Sequence, residues 1–514
     1  MVVASSLCCS QAVGLKPLHS TANNGTRGLA SSTRLQYAIP RSTAGNRSVR
    51  IQQCDRRSFR ISAVNVAPES ATASQGSDWE LLDWMHANGL PPCKVTLKER
   101  PGATPEEDTI HYVAATEDLQ AGDIPLKVPE NLIVTLGRVL GDENLAELVT
   151  TNKLSELACL ALYLMFEKKQ ADQSFWRPFI NELDRQRGRG QTAVETPLLW
   201  DPQEVAELFQ GSPMKAEVEA RLQGIKREYE ELDTVWFLAA SLFKQYPYDT
   251  PSETFPFEIF KQAFIAVQSC VVHLQGVPLP RRFALIPMGP PLLAYKSTTR
   301  SMLAASPDGG VELRLDRPVK AGEPLSVWCG PQPNTRLLLN YGIVDEDNPY
   351  DRLTVQVALN PDDPLYQAKR AIVQKHDLLR TQDFQLYKGK ESAALYDMMP
   401  YLRLAHVTDP LDMEFVTFAD GPVCGVSPCN ENAVLDQLVE FFEARLAAYP
   451  TTLEEDIAAI ADPATSPKRR VAARLVRIEK EILSNALAAV QEVISALPTG
   501  SEAPCYSQYR PILK

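Results

Sequence analysis

Two stretches hold the side chains whose types and order suggest chemistry: 283–295, FALIPMGPPLLAY, and 327–351, VWCGPQPNTRLLLNYGIVDEDNPYD. The second brings a phenol, Tyr341, to the end of an apolar run. Its hydroxyl is either a working group in a site or a packed phenol satisfied by backbone. The first stretch has almost no polar side chain, and its paired prolines remove backbone donors. Elsewhere, Cys424 and Cys429 are the closest cysteine pair in the body of the chain. With no second pair or nearby His they make no zinc site; they read as reduced thiols or as a redox-sensitive bridge. Lys468, Arg469, Arg470, Arg474 and Arg477 open the last helical stretch. They form a solvated helix face or a contact for nucleic acid or an acidic partner. Asp345, Glu346 and Asp347 read as an acidic surface turn. The six histidines (His19, His86, His111, His273, His376, His406) have no metal-ligand spacing, so no metal is expected. There is no phosphate loop, GxGxxG run, HExxH or GxSxG.

The elements that must position these groups follow from periodicity. Short strands are expected at 95–97, 110–114, 124–128 and 131–135, and again at 282–287, 301–304, 311–315, 324–328 and 353–359. Between the two sets, 144–274 is mainly helical, with helices at 154–169, 213–231, 235–243 and 257–273. Helices return at 364–374, 391–402, 431–448, 453–461 and about 467–497. Ser77, in Ser-Asp-Trp-Glu, is expected to cap the first helix through a capping box.

The 514 residues suffice for two or three domains, and 44% hydrophobic with 23% charged is ordinary globular composition. The longest apolar run, 157–166, is far short of the roughly 20 residues of a membrane span. The first 62 residues differ: they hold nine Lys or Arg against one acid, Asp55, and are rich in Ser, Thr and Asn. That composition matches an organelle transit peptide, the chloroplast favoured, and otherwise a disordered tail. The segment carries +8, so the remaining chain carries −20 of the total −12. Such an acidic body is not that of a free-standing DNA binder, although it can join a nucleic-acid machine through protein contacts.

The order of short strands, helical insert, a closing motif with Asn334, Leu337, Leu338, Leu339, Asn340, Tyr341 and Gly342, and a helical C-terminus resembles the Rubisco large-subunit methyltransferase type of SET protein. Residues 121–129 (AGDIPLKVP), 175–180 (FWRPFI), 196–200 (TPLLW), Tyr449–Asp456 and Arg477–Leu483 resemble further segments of that family, and together the likeness spans about 78–497. It implies an α+β fold: a SET domain of short β-sheets with an inserted helical subdomain, then an all-α substrate-binding domain. The divisions it implies are a transit peptide at 1–63, a linker at 64–77, a SET domain at 78–350 with its insert at about 144–274, a helical domain at 351–500 and a tail at 501–514. It implies S-adenosylmethionine as cofactor and Tyr341 as catalytic tyrosine. The family's cofactor motif departs here: Pro290 stands for its Asp, Leu293 for its Asn, Ala294 for its His, and Cys270 for an Arg in the preceding helix. Each change removes a polar partner worth about 1 kcal/mol or more.

The departures themselves carry a second resemblance. LIPMGPPLLAYKS, VWCGPQPNTRLLLNYGIVDEDNPYDR and YLRLAHVTDP are similar to the SET-domain branch found in the plastid transcriptionally active chromosome. That likeness implies an accessory subunit of the plastid-encoded RNA polymerase, located in the chloroplast stroma and nucleoid and possibly at the thylakoid. It would contact the polymerase core and other associated proteins, be tied to plastid DNA only indirectly, and serve chloroplast transcription and development. The alternative is an active S-adenosylmethionine-dependent protein-lysine methyltransferase of the chloroplast. The altered 288–294 segment favours the first and Tyr341 keeps the second.

Overall fold

Trp79, in extended conformation, leads into helix α1 (Glu80–Ala87), which buries Leu81 and Met85. Among the described residues no side chain caps it; Glu80 and Asp83 in its first turn complement the helix dipole. The computed structural model describes residues 79–101, 109–142, 145–146, 154–186, 194–243, 257–418, 425–496 and 512–513, the side chains of 233–243 and 512–513 excepted. The expected transit peptide, linker and Ser77 cap lie outside these, as do Cys424 and 501–511 of the tail. All the described residues belong to one unit, Asp78–Lys514.

Strands β1 (Val95–Arg100) and β2 (Ile110–Ala115) pair antiparallel, Val95 opposite Ala115. β3 (Leu126–Val128), β4 (Val134–Thr135) and α2 (Leu136–Leu140) follow. The helical block is α3 (Glu156–Lys169), α4 (Arg177–Gln186), α5 (Pro202–Leu208), α6 (Met214–Phe243) and α7 (Phe257–Cys270). α3 buries every residue from Ala158 to Glu167. An apolar surface on all sides suits a helix enclosed by protein, and α2, α4 and α7 enclose it. Among the described residues no helix is long and apolar enough to cross a membrane. α6 runs unbroken where two helices were expected, because neither Gly nor Pro interrupts its sequence at 232–234.

The chain then returns to strands: β5 (Val272–His273), β6 (Phe283–Leu285), β7 (Ala294–Lys296), β8 (Met302–Ala305), β9 (Val311–Arg314) and β10 (Ser326–Trp328). They form the sheets β4-β6-β5 and β3-β9-β8 and the parallel pair β7-β10. β2 ties the two halves together. Its Val113 N–H donates to Leu292 O (3.0 Å) and its carbonyl accepts from Leu325 N–H (2.9 Å). Helix α8 (Asn334–Tyr341) comes next and stops at Gly342, whose φ of 68° is the left-handed turn that glycine takes at little cost.

The C-terminal region contains β11 (Arg352–Ala358), α9 (Tyr366–Lys375), β12 (Thr381–Tyr387), α10 (Glu391–His406), α11 (Pro428–Ala447), α12 (Leu453–Ala461), α13 (Pro467–Ala496) and β13 (Ile512–Leu513). It is mainly helical, with α13 packed on α10, α11 and α12. The all-α expectation is corrected in one respect: an antiparallel sheet, β12-β11-β13, underlies these helices. Cys429, in the first turn of α11, is disulfide-bonded rather than a reduced thiol.

The acidic turn and the basic helix start answer each other. Glu346 accepts from Arg474 (3.3 Å) and Arg477 (2.7 Å), Arg477 also reaches Glu481, and Lys468 reaches Glu204. Neither feature is a bare solvated surface; together they fasten the turn after α8 to α13. These pairs are partly exposed, so each contributes about 0.5 kcal/mol. Glu346→Lys is expected to lower the thermal midpoint by a few degrees. Half-molar salt should shrink the loss, and a deficit indifferent to salt would remove the ion-pair explanation.

Candidate functional site

Tyr341 sits half-buried at the last position of α8. Its ring lies against that of Tyr295 on β7, centroids 4.2 Å apart and planes inclined by 37°. Cys329, Leu337 and Ile343 form a small apolar cluster beneath both rings. The two phenols share a side-chain hydrogen bond; burial, and then Tyr341 itself, hold the Tyr295 hydroxyl well above its ordinary pKa. Tyr295 therefore stays a neutral phenol, able to donate and accept, throughout the working range. Cys270, at the end of α7, donates to Val267 O, and burial pushes its thiol up to about 12. Cys329 is pushed up to about 12 by the same cause. Both are inert thiols rather than nucleophiles.

The tyrosines are held from three sides. Asn334, at the start of α8, is fully buried. Its N–H donates to Asp351 Oδ1 (2.9 Å), its amide donates to Asp351 Oδ2 and to Asp345 O, and its Oδ1 accepts from Asp345 N–H (2.8 Å). The Asp345 carboxylate in turn accepts from the N–H (3.0 Å) and hydroxyl (2.5 Å) of Ser297, two residues beyond Tyr295. The third side is the helical insert: Gln268 donates to Leu339 O (3.4 Å) while holding Arg221, and Arg336 meets Glu217 (3.4 Å).

The 288–294 segment folds into the core. Met288, with φ of 61°, and Leu293 are fully buried, Pro290 is buried, and Ala294 is half-buried at the start of β7. The Pro290-Pro291 bond is cis. The backbone groups are occupied: Gly289 N–H by Ile286 O, Leu293 N–H by Gly289 O, Ala294 N–H by Leu325 O, and Leu292 O by Val113 N–H. Of the residues singled out in the sequence, Tyr341 and Cys270 meet at one place, since both Cys270 and Tyr341 influence the Tyr295 phenol. Pro290 and Leu293 only pack. Tyr295 and the Asn334 network went unnoticed. A tyrosine one residue beyond the altered motif was the available signal for the former.

Not every concavity belongs here. A cavity of about 720 Å³ is lined by Glu130, Arg138, Tyr163 and Arg281 among others, and by neither tyrosine. Its arginines are engaged, Arg138 by the Ile133 and Asn131 carbonyls and Arg281 by Gly309 O and Glu130. Among the described residues no group of three His, Cys, Asp or Glu could hold a metal.

Short sheets closed around a helix-terminal tyrosine, with a helical insert and a helical C-terminal region, make up a SET fold. Comparison with known proteins agrees. Residues 360–483 match the Rubisco LSMT substrate-binding family. A structure of Rubisco LSMT bound to AdoMet superimposes with a TM-score of 0.64 at 19% identity, over 80% of this chain and 91% of that one. The SET domain of LSMT bound to MeLysine and AdoHcy gives 0.63 at 19%, over 80% and 90%. In sequence, the chain is 23% identical to an actin-histidine N-methyltransferase of Xenopus tropicalis over 79% of its own length and 69% of that protein's. Against the Mus musculus protein of that name it is 22% identical, over 73% and 62%. The chain thus spans about two thirds of these relatives.

S-adenosylmethionine, a nucleoside carrying a sulfonium and an amino acid, needs polar partners. The 288–294 segment does not fit it, having no polar side chain and no spare N–H at Gly289, Leu293 or Ala294. α8 offers more. Asn340 is buried and its Oδ1 has no partner, an acceptor that calls for a donor. Asn340 and Tyr295 are the polar groups this chain would offer such a cofactor, with Tyr341 beside Tyr295.

Proposed function

We propose that the chain is a SET-fold protein N-methyltransferase that takes S-adenosylmethionine as methyl donor and a lysine or histidine side chain of another protein as acceptor. The observation that carries this reading is the hydrogen-bonded Tyr295–Tyr341 pair on its apolar floor. Aromatic walls admit an uncharged amine or imidazole, and phenol hydroxyls orient its lone pair. The cofactor would supply the methyl group; the protein supplies position and a dry environment. The histidine chemistry of the relatives and the MeLysine of the structural neighbour support either acceptor. In the test, S-adenosylmethionine is titrated into the purified chain and transfer of radiolabelled methyl to lysine- and histidine-containing proteins is followed. Tyr341→Phe should retain binding within about threefold and lose at least tenfold in transfer. Absence of any ligand-induced rise in the thermal midpoint at millimolar cofactor would reject the reading.

The filled 288–294 segment favours a second reading. Here the SET fold is a scaffold, and the chain is an accessory subunit of the plastid-encoded RNA polymerase in the chloroplast nucleoid, serving transcription and chloroplast development. Its contacts would be the polymerase core and other associated proteins, with plastid DNA reached only through them, in keeping with the acidic body. Co-elution with polymerase core subunits, undiminished by Tyr341→Phe, supports it; polymerase-free elution from chloroplast extract counts against it.

A further inference from the structure

Helices α11 and α13 leave a groove of about 580 Å³ that shares no residue with the tyrosine site. α11 contributes Asp436, Val439, Glu440, Glu443, Ala444 and Ala447, and α13 contributes Gln491 and Ile494. The α11 residues are spaced 0, 3, 4, 7, 8 and 11 along the helix and so make one continuous face. Ile494 is 39% exposed and its neighbour Val493 37%. The groove therefore has a small apolar floor, an acidic wall and no basic residue.

We infer that this groove docks a basic, amphipathic helix of a partner protein. Residues 436–447 span about 17 Å, the length of three turns of a partner helix. Ala444 and Ala447 present little bulk, which lets a second helix approach to about 8 Å. Apolar partner residues at i, i+3 or i+4, and i+7 cover Val439 and Ile494, as in helix-in-groove recognition. Lys or Arg on the partner's flank meets Asp436 and Glu443. The sign of the wall excludes an acidic helix and disfavours a second copy of this chain, which would set like charges together. Exposed apolar side chains beside a groove are what such a partner would cover.

The full chain is titrated against three labelled 18-residue peptides: a Lys/Leu helix with apolar residues at i, i+3, i+4 and i+7, the same composition scrambled, and a Glu/Leu helix of the same pattern. The Lys/Leu helix should bind at least tenfold more tightly than the scrambled peptide, and the Glu/Leu helix should not bind. Asp436→Lys with Glu443→Lys should weaken it at least tenfold. Val439→Ser with Ile494→Ser should weaken it about fivefold without changing charge, whereas Asp383→Lys, on exposed β12, should match the native chain. Equal binding of the scrambled peptide, or native affinity in the groove variants, overturns the inference, leaving only non-specific attraction to an acidic protein. A concentration-dependent dimer abolished by Ile494→Ser also overturns it, assigning the groove to a second copy.

Discussion

Asn334→Ala is expected to cost about 2–4 kcal/mol of folding stability and to loosen the tyrosine site at the same time. Alanine removes both amide bonds to the Asp351 carboxylate and the Asp345 carbonyl, and the acceptor of the Asp345 N–H. Only the backbone N–H to Asp351 Oδ1 survives at this position. Asp351 is 3% exposed, and burial already raises its pKa, with the Asn334 bonds pulling the other way. A buried carboxylate that loses a donor bears most of its desolvation cost alone. The sign with pH follows. Without Asn334 the Asp351 pKa rises further, so the variant's deficit should be largest at neutral pH and shrink as acid protonates the group. Urea midpoints at pH 5 and pH 8, at unchanged m, measure this. The site has its own readout: Cys329, 6% exposed beneath the two tyrosines, should react faster with a maleimide in the variant. A deficit below 1 kcal/mol, or one constant with pH, would show that the Asn334 network does not hold this turn.

Why Tyr341 was legible and Tyr295 was not comes down to range. Tyr341 ends a local motif that also specifies its own helix, since Leu337, Leu338 and Leu339 are all fully buried and Gly342 closes the turn. Tyr295 matters only because β7 pairs with β10, 32 residues on, and because Ser297 is drawn to Asp345 across the fold. Pairing of that kind leaves no period in the sequence. The same distinction divides the elements. The C-terminal helices show apolar residues at helical spacing, and all appear. β12, TQDFQLY, buries only Leu386 fully and is held by β11 through its backbone, so composition did not mark it. The first helix is described from Glu80, after Trp79, and the expected Ser77 cap lies outside the described residues. The replaced motif residues Pro290 and Leu293 are buried and bring no polar side chain to the segment. That their segment turns inward and spends its backbone bonds on β2 and β10 required the tertiary closure.

Glu479→Gln should change the pH dependence of stability more than any other single substitution in the C-terminal region. Glu479 on α13 is 2% exposed, and accepts from Ser212 Oγ (2.9 Å), just before α6, and from Tyr449 Oη (3.0 Å), just before α12. It thus joins the helical insert to the C-terminal helices. Burial pushes its carboxyl up to about 7, against the lowering effect of the two hydroxyls; Asp351 raises it further and Arg445 lowers it. For an acid raised in the folded state, the neutral form is the one the fold prefers. Its contribution is fully present below pH 4.5 and is lost as pH rises through 7. The gross swing is about 3 kcal/mol, at 1.36 kcal/mol per unit. The amide carries no charge at any pH and still offers an acceptor to one hydroxyl and a donor to the other. The variant should therefore track the native chain near pH 5 and exceed it by about 1–2 kcal/mol at pH 8, part of the gain being lost to imperfect hydrogen bonding. Glu479→Leu separates charge from bonding, because it orphans both hydroxyls and should be destabilising by about 2 kcal/mol even at pH 5. If native chain and Glu479→Gln lose stability in parallel between pH 5 and 8, the carboxyl is ionised without penalty and the seam between insert and helices is held by packing alone.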